Sequence, residues 1–356
     1  MKIIILAVCF FDRGTMMEQI IGILLLLVIL VFFTIFTYYA PYGADVMGAL
    51  AGAAIATFLV EALQRFVIGD IFGLEFFHET GLEAGLLSGV IVAFLVALTM
   101  KVNAQNSAII AVSMGGLGLI PGMIAAYIIS FAAKFFEKKI PNGLDFILVV
   151  ILLVPLTRLI GLGISPLVDA SLLQIGTIIE TATDTSPLIM GLMLGGIITV
   201  VGTSPLSSMA LTALLGLTGI PMAVGSLAAF GSAFMNSVIF HKLKIGDLKS
   251  VISVAIEPLS KADLVSANPV PIYATNFIGG ALSGMVIAYS GLINDAPGTA
   301  TPTAGLLVLF GFNPASQVVL YAVVVAVISG ITGFIGSYIF RNYRIRKSDF
   351  DAIGKL

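Results

Sequence analysis

The residues of this chain best suited to chemistry are one carboxylate and a set of hydroxyls, each beside a proline or glycine in otherwise apolar sequence. Glu257 stands in "SVAIEPLSKAD", directly before Pro258, in a stretch too polar to face lipid and bracketed by apolar runs. A carboxylate held at such a break accepts hydrogen bonds from the hydroxyls of a polar ligand, and desolvation raises its proton affinity, suiting it to act as a proton acceptor. The same spacing also fits a helix-capping Glu on a cytoplasmic loop beside Lys249 and Lys261. Two copies of Thr-Ser-Pro-Leu, Thr185 to Leu188 and Thr203 to Leu206, put hydroxyls just before a proline, as at a helix N-cap and first turn. Helix N-termini inside a membrane offer free N–H groups to hydroxyls and anions, which makes Thr203 and Ser204 candidate ligand contacts, although ordinary helix starts look the same. Thr299, Thr301 and Thr303 make a further hydroxyl-rich break in "NDAPGTATPTAG". Asn236 and His241 end an apolar run and could line a cavity; a His beside Lys242 and Lys244 reads equally as a residue snorkelling to the interface.

The remaining ionisable residues point elsewhere. Asp45, Glu61 and Asp145 lie near the ends of apolar runs, where a structural role is the simpler reading. His78 and Glu79 do not form a His-Glu-x-x-His helix and read as loop residues. One cysteine, Cys9, and two histidines are too few for a disulfide framework or a closed zinc site. The glycine-rich runs follow no soluble strand, so no dinucleotide site and no cofactor is expected; Gly280 and Gly284, and Gly333 and Gly336, read as close-packing positions between helices. A net charge of −2 with no basic stripe sets nucleic acid aside.

The elements that must hold these residues are membrane helices. The chain is 59% hydrophobic and 10% charged, with a mean hydropathy of +1.12, against roughly 25% charged in soluble domains. The bilayer is therefore its first partner. Runs of about 20 apolar residues fall near 17–39, 43–64, 80–100, 107–133 and 142–163 in the first half. In the second they fall near 186–202, 204–218 (short), 220–240, 268–292 and 315–340, with broken stretches at 243–266 and 294–311. The chain reads as an all-α polytopic protein of ten transmembrane helices. Its parts are a lead over 1–16, a five-helix half over 17–163, an interfacial linker helix over 164–185, a half with re-entrant hairpins over 186–340, and a cytoplasmic tail over 341–356. The lead is either a short cytoplasmic or interfacial segment or lies ahead of a true start at Met16 or Met17. Placing both termini in the cytoplasm puts nearly every Lys and Arg on the inner side, with Lys101 and Arg158 as the exceptions.

At "VAIEPLSKAD" and "VPIYATNFIGGALSGMVIAY" the chain resembles the enzyme IIC membrane permeases of the bacterial sugar phosphotransferase system, glucose superfamily. Their Gly-Ile-Thr-Glu-Pro type signature is matched loosely by Ala255, Ile256, Glu257 and Pro258, with Ala where the family has its Thr-containing run. "NAQNSAIIAVSMGGLGLIPG", "TSPLIMGLMLGGIITVVGTSPLSSMALTALLGL" and "NDAPGTATPTAGLLVLFGF" look more like the IIC-like subgroup that includes the PfoR type of proposed membrane regulators, a likeness spanning most of 45–340. The resemblance implies a dimerising scaffold half, a transport half with two hairpins around a sugar, and a membrane Glu that contacts the sugar hydroxyl to be phosphorylated. It implies as partners a sugar and separate IIB and IIA phosphoryl-carrier proteins, since the residues after Phe340 are too few for either domain. The small-residue run from Gly48 to Ala56 would suit a dimer interface. Two other functions fit the same sequence: a membrane regulator that keeps the fold as a sensor, and a secondary transporter without phosphorylation.

Overall fold

The computed structural model describes residues 13–141 and 144–346, and within them the side chains of all but 13–23 and 176–185. Most of the expected lead, the side chains of Glu180, Asp184 and Thr185, and the tail beyond Arg346 lie outside that description. The described chain is helical, with no strand. Helix α1 is Arg13–Tyr39, and α2 runs over Gly43–Asp70 with π-helical turns at Ile55–Leu59 and Ala62–Asp70. Then come α3 (Glu75–Leu86), α4 (Ser88–Thr99), α5 (Ala104–Val112) and α6 (Leu119–Lys139). Helix α7 joins Leu144–Leu148, a π-helical Val149–Leu153 and Val154–Thr185 without a break. The second half holds α8 (Pro187–Thr203), α9 (Ser208–Leu214), α10 (Gly219–Leu243), α11 (Leu248–Ile256), a 3-10 turn at Pro258–Lys261, α12 (Ala262–Ala267), α13 (Pro269–Ala288), α14 (Pro302–Phe312) and α15 (Ala315–Ile339).

Among the described residues six helices are long and apolar enough to cross a bilayer, or seven if α3 and α4, bent by 48°, make one span. Leu24–Tyr39, Pro187–Thr203 and Pro302–Phe312 are apolar but shorter. The ten spans expected from sequence are thus not recovered as ten. Three expected runs fall short: 17–39 contributes the apolar stretch Leu24–Tyr39, 186–202 the 17-residue α8, and 204–218 only the 7-residue α9. Two boundaries also move without changing the count: the run 107–133 is two helices, because "SMGGLG" between them is a turn with Gly116 at φ 73, and the expected end at 163 falls inside α7, whose helix continues through Pro166.

Contacts at the helix ends sort the chain into two faces. At one, the Lys134 ammonium donates to the Tyr42 hydroxyl at 2.8 Å. The Asn103 N–H donates to Glu137 at 3.0 Å, and Asn106 donates to Glu137 at 2.9 Å. Lys101 therefore sits with Lys134, Lys138 and Lys139, and is no exception to the charge rule. Arg158, the other exception, donates to the Ser113 and Gly115 carbonyls and ties down the glycine-rich turn. The same basic face receives the C-terminal segment: Asn268 exchanges two 2.9 Å hydrogen bonds with the Arg346 backbone, and the Arg346 guanidinium lies 4.2 Å from the Tyr38 ring. Tyr38 ends α1, a helix of 27 residues, roughly 40 Å long at 1.5 Å per residue. Arg13 consequently lies at the far end of α1 from Arg346.

The second half is held by close helix crossings. Along α8 and α13, Gly191 meets Gly284 and Gly195 meets Gly280, and a Cβ at Gly284 would collide with the Gly191 carbonyl oxygen. The first half is packed similarly, and most of the run from Gly48 to Ala54 is buried within the chain, with Leu50 and Ala53 fully enclosed. Most of those small residues are taken up by contacts inside one protomer, while Gly52 is partly covered and Ala56 is exposed. Gly284→Ala is expected to lower the thermal stability of the detergent-solubilised protein by about 1–3 kcal/mol through overpacking. Gly330→Ala, where a Cβ meets nothing within 4 Å, serves as the control and should be neutral or stabilising.

Candidate functional site

Glu257 stands outside the spanning helices, at the tip of a hairpin made by α11, the 3-10 turn and α12. Asp247 starts α11 by accepting the Ser250 N–H and hydroxyl, each at 2.8 Å; these bonds hold its carboxyl below the usual range. Helix α11 ends at Glu257 because Pro258 disfavours the helical conformation in the residue before it. Glu257 is extended, at φ −150 and ψ 106, and caps the next turn by accepting the Leu259 N–H at 3.4 Å. The capping role foreseen from sequence is thus present, in a half-buried side chain that also lines a cavity.

Two other breaks arrive at the same place from the opposite face. Helix α8 stops at Thr203, Pro205 turns the chain, and Ser207 takes φ 64 to start α9. The segment 294–301 dips inward and α14 leads out, its two ends tied where the Asn313 side chain pairs with the Ile293 backbone at 2.9 and 2.7 Å. The breaks satisfy one another: the Ser208 hydroxyl donates to the Ala300 carbonyl at 2.6 Å, and the Thr303 hydroxyl donates to the Ile256 carbonyl, beside Glu257, at 3.4 Å.

The cavity at their meeting point is lined by Glu257, Ser207, Ser208, Thr301 and Gly202 on one side and by Ala54, Phe58 and Leu59 of α2 on the other. It encloses about 260 Å³ of space between atoms, and a water molecule's centre fits in only about 10 Å³ of it, room for about one water. Thr301 is 4% exposed, and its hydroxyl has no hydrogen-bond partner, an open valence aimed at a polar guest. No Lys, Arg or His lines the cavity. One carboxylate, several hydroxyls and no basic side chain suit a neutral, hydroxyl-rich ligand better than an anion, against the opposite pull of the positive N-terminal end of α14.

The other sequence candidates are placed differently. Thr203 donates to the Thr199 and Val200 carbonyls and Ser204 to the Val201 carbonyl, so both are buried structural caps. Thr299 is buried, accepts from Asn294 at 2.9 Å and donates to Ala296 at 2.8 Å, which shapes the loop beneath Thr301. Asn236 is buried against Asn276, with bonds of 2.7 and 3.4 Å between the two amides, and Thr199 donates to the Asn276 carbonyl at 2.7 Å. That cluster joins α8, α10 and α13. His241 is exposed at the end of α10 and does not line the cavity. Sequence reasoning missed Phe58 and Leu59: nothing in an apolar helix marks which residues face a partner half. The π-helical turn there, a feature frequent at functional sites, appears only in the structure.

Asn236→Ala should cost about 1–3 kcal/mol of thermal stability, since the buried Asn276 amide loses both bonds to Asn236 and keeps only the one it donates to the Ile272 carbonyl. His241→Gln should leave both stability and ligand binding unchanged; a His241→Gln defect in binding would return that residue to the site.

Comparison with known families gives one match: the family described as "Phosphotransferase system, EIIC" matches residues 44–351. No curated protein matches the chain.

Proposed function

Because the chain belongs to the EIIC membrane components of the phosphotransferase system, we propose that it carries a sugar across the membrane and that Glu257, Ser208 and Thr301 receive it. The observation that carries this reading is the lone Glu257 carboxylate beside the unpartnered Thr301 hydroxyl, in a cavity free of cations where the chain breaks meet. Both groups have hydrogen-bonding capacity to offer sugar hydroxyls, and a buried group built for such a bond discriminates strongly against ligands lacking it. The cavity is too tight for a sugar ring, so on this reading the hairpin carrying Glu257 shifts against α2 to admit one.

In the proposed reaction the carboxylate accepts a hydrogen bond from the hydroxyl to be phosphorylated and takes its proton as the oxygen attacks phosphorus. The phosphoryl group comes from a separate IIB protein, itself charged by a IIA protein; as the new P–O bond forms, the bond from phosphorus to the IIB side chain breaks and its electron pair stays on that side chain. The hairpin is rooted on the face that carries Lys242, Lys244, Arg341 and Arg346, and the positive-inside rule makes that face cytoplasmic, the side on which such carriers act. The end of α1 at Arg13 then faces outward, which revises the expectation of two cytoplasmic termini.

Glu257→Gln keeps shape while removing charge and basicity. Sugar binding and phosphorylation-coupled uptake should fall tenfold or more, about 1.4 kcal/mol, with an unchanged gel-filtration profile. Wild-type behaviour would remove Glu257 from the site, and binding without phosphoryl transfer from IIB would favour a sensor. For orientation, the single native cysteine, Cys9, precedes α1 and should react with a membrane-impermeant maleimide in intact cells, while green fluorescent protein fused after Leu356 fluoresces. Labelling of Cys9 only after permeabilisation would restore termini on one side.

A further inference from the structure

The cavity that holds Glu257 shares a wall with a larger one. The second offers about 270 Å³ to the centre of a water molecule, against about 10 Å³ around Glu257. Phe58 and Ser207 line both. From that wall the larger cavity runs past Ala210 and Leu214 of α9 and Gly118 at the head of α6, to Ser165 and Asp169 on α7. Each of these landmarks lies toward the face away from the basic one. Gly118 caps the end of α6 opposite Lys138 and Lys139. Leu214 ends the helix that leads to Gly219, the start of α10, whose other end carries Lys242. The far face is fixed at this point by the Gly219 N–H donating to Asp295 at 3.0 Å.

We propose that this cavity is the outward vestibule by which a neutral, hydroxyl-rich solute reaches Glu257, and that the Phe58 ring with the Ser207 turn is the partition that closes it. Continuity through two shared residues supports a route, since an unrelated surface pocket has no reason to end on the same ring and the same turn. Electrostatics agrees in kind: Asp169 is the one charged residue lining the vestibule and is exposed, so its mouth repels anions and gives a hydroxyl donor something to bind. Phe58 is suited to gating because it is half-buried in the π-helical turn Ile55–Leu59. A π-helical turn makes i→i+5 bonds, and a return to α-helical bonding there would rotate the ring away from its place in the wall. The identity of the solute rests on the reading of Glu257 given above; the route does not.

The test therefore uses thiol chemistry and no sugar. On a Cys9→Ser background, Ala210→Cys reports the vestibule and Thr301→Cys the inner cavity, each treated in intact cells with a membrane-impermeant, positively charged methanethiosulfonate reagent. Ala210→Cys should react without permeabilisation. Thr301→Cys should react at least tenfold more slowly while Phe58 is present, and at least tenfold faster once Phe58→Ala is added. Phe58→Leu, a smaller loss of bulk, should give an intermediate rate and stands in if Phe58→Ala changes the gel-filtration profile. Reaction of Ala210→Cys only after permeabilisation, no reaction in either state, or a Thr301→Cys rate indifferent to Phe58 would each overturn the proposal. A protein in which Glu257→Gln is silent but these rates behave as stated would keep the vestibule and lose the sugar.

Discussion

Backbone that leaves the helix inside an apolar medium must find hydrogen-bond partners within the protein, and the second half of this chain is organised around that requirement. Three segments break: 203–208, 257–261 and 294–301. None could stand alone against lipid. Each instead borrows partners from another, Ser208 from Ala300 and Thr303 from Ile256, while Asn294 braces the third through Ser226 and Thr299 at 2.8 and 2.9 Å. The breaks are forced to converge because they are breaks, and a polar cavity is what remains between them. The Thr301 hydroxyl and, in the 257–261 break, the Ser260 hydroxyl are points where this mutual satisfaction is incomplete, and of the two Thr301 lines the cavity.

Convergence needs a rigid frame. Without water to drive helices together, close approach of backbones supplies the packing, which is why glycines stand where α8 crosses α13. The Asn236–Asn276 pair and the Thr199 bond to Asn276 add a buried polar link to the same crossing. These residues look like site residues in a sequence because they are polar and intramembrane. Their valences are nonetheless satisfied by one another, which separates a structural polar group from one that awaits a ligand.

That distinction sets what was legible before the structure. Composition gives the membrane class, and the Pro and Gly spacing at 294–311 and 243–266 gives two hairpins, because those signals are local. Glu257 stood out for the same reason: an acid before a proline between apolar runs has few places to go. The split of 107–133 was hidden because "AIIAVSMGGLGLIPGMIAA" keeps a high hydropathy through its turn, so length alone joined two helices. Lys101 was misassigned as a consequence, since two helices that leave one face and return to it were counted as a single crossing. Phe58 and Leu59 were out of reach in principle, as facing across two halves is a property of tertiary packing and leaves no mark on periodicity.

The two faces also impose different demands on one carboxylate. On the proposed reading, a phosphoryl donor of protein size acts from the side where the hairpin is rooted, between Asp247 and Asn268, and a solute from outside comes past α9. Glu257 lies where the hairpin from the basic face touches the turns from the other, half-buried against α2. A group at the tip of a hairpin can be presented to either side by a movement of that hairpin alone, with the α8–α13 crossing left intact. The same carboxylate built into a continuous helix would need the whole helix to move, against glycine contacts that leave no slack. Placing the acid on a break thus keeps the frame stiff and the chemistry mobile, which is the physical reason for a Glu-Pro at this position over a Glu within a span.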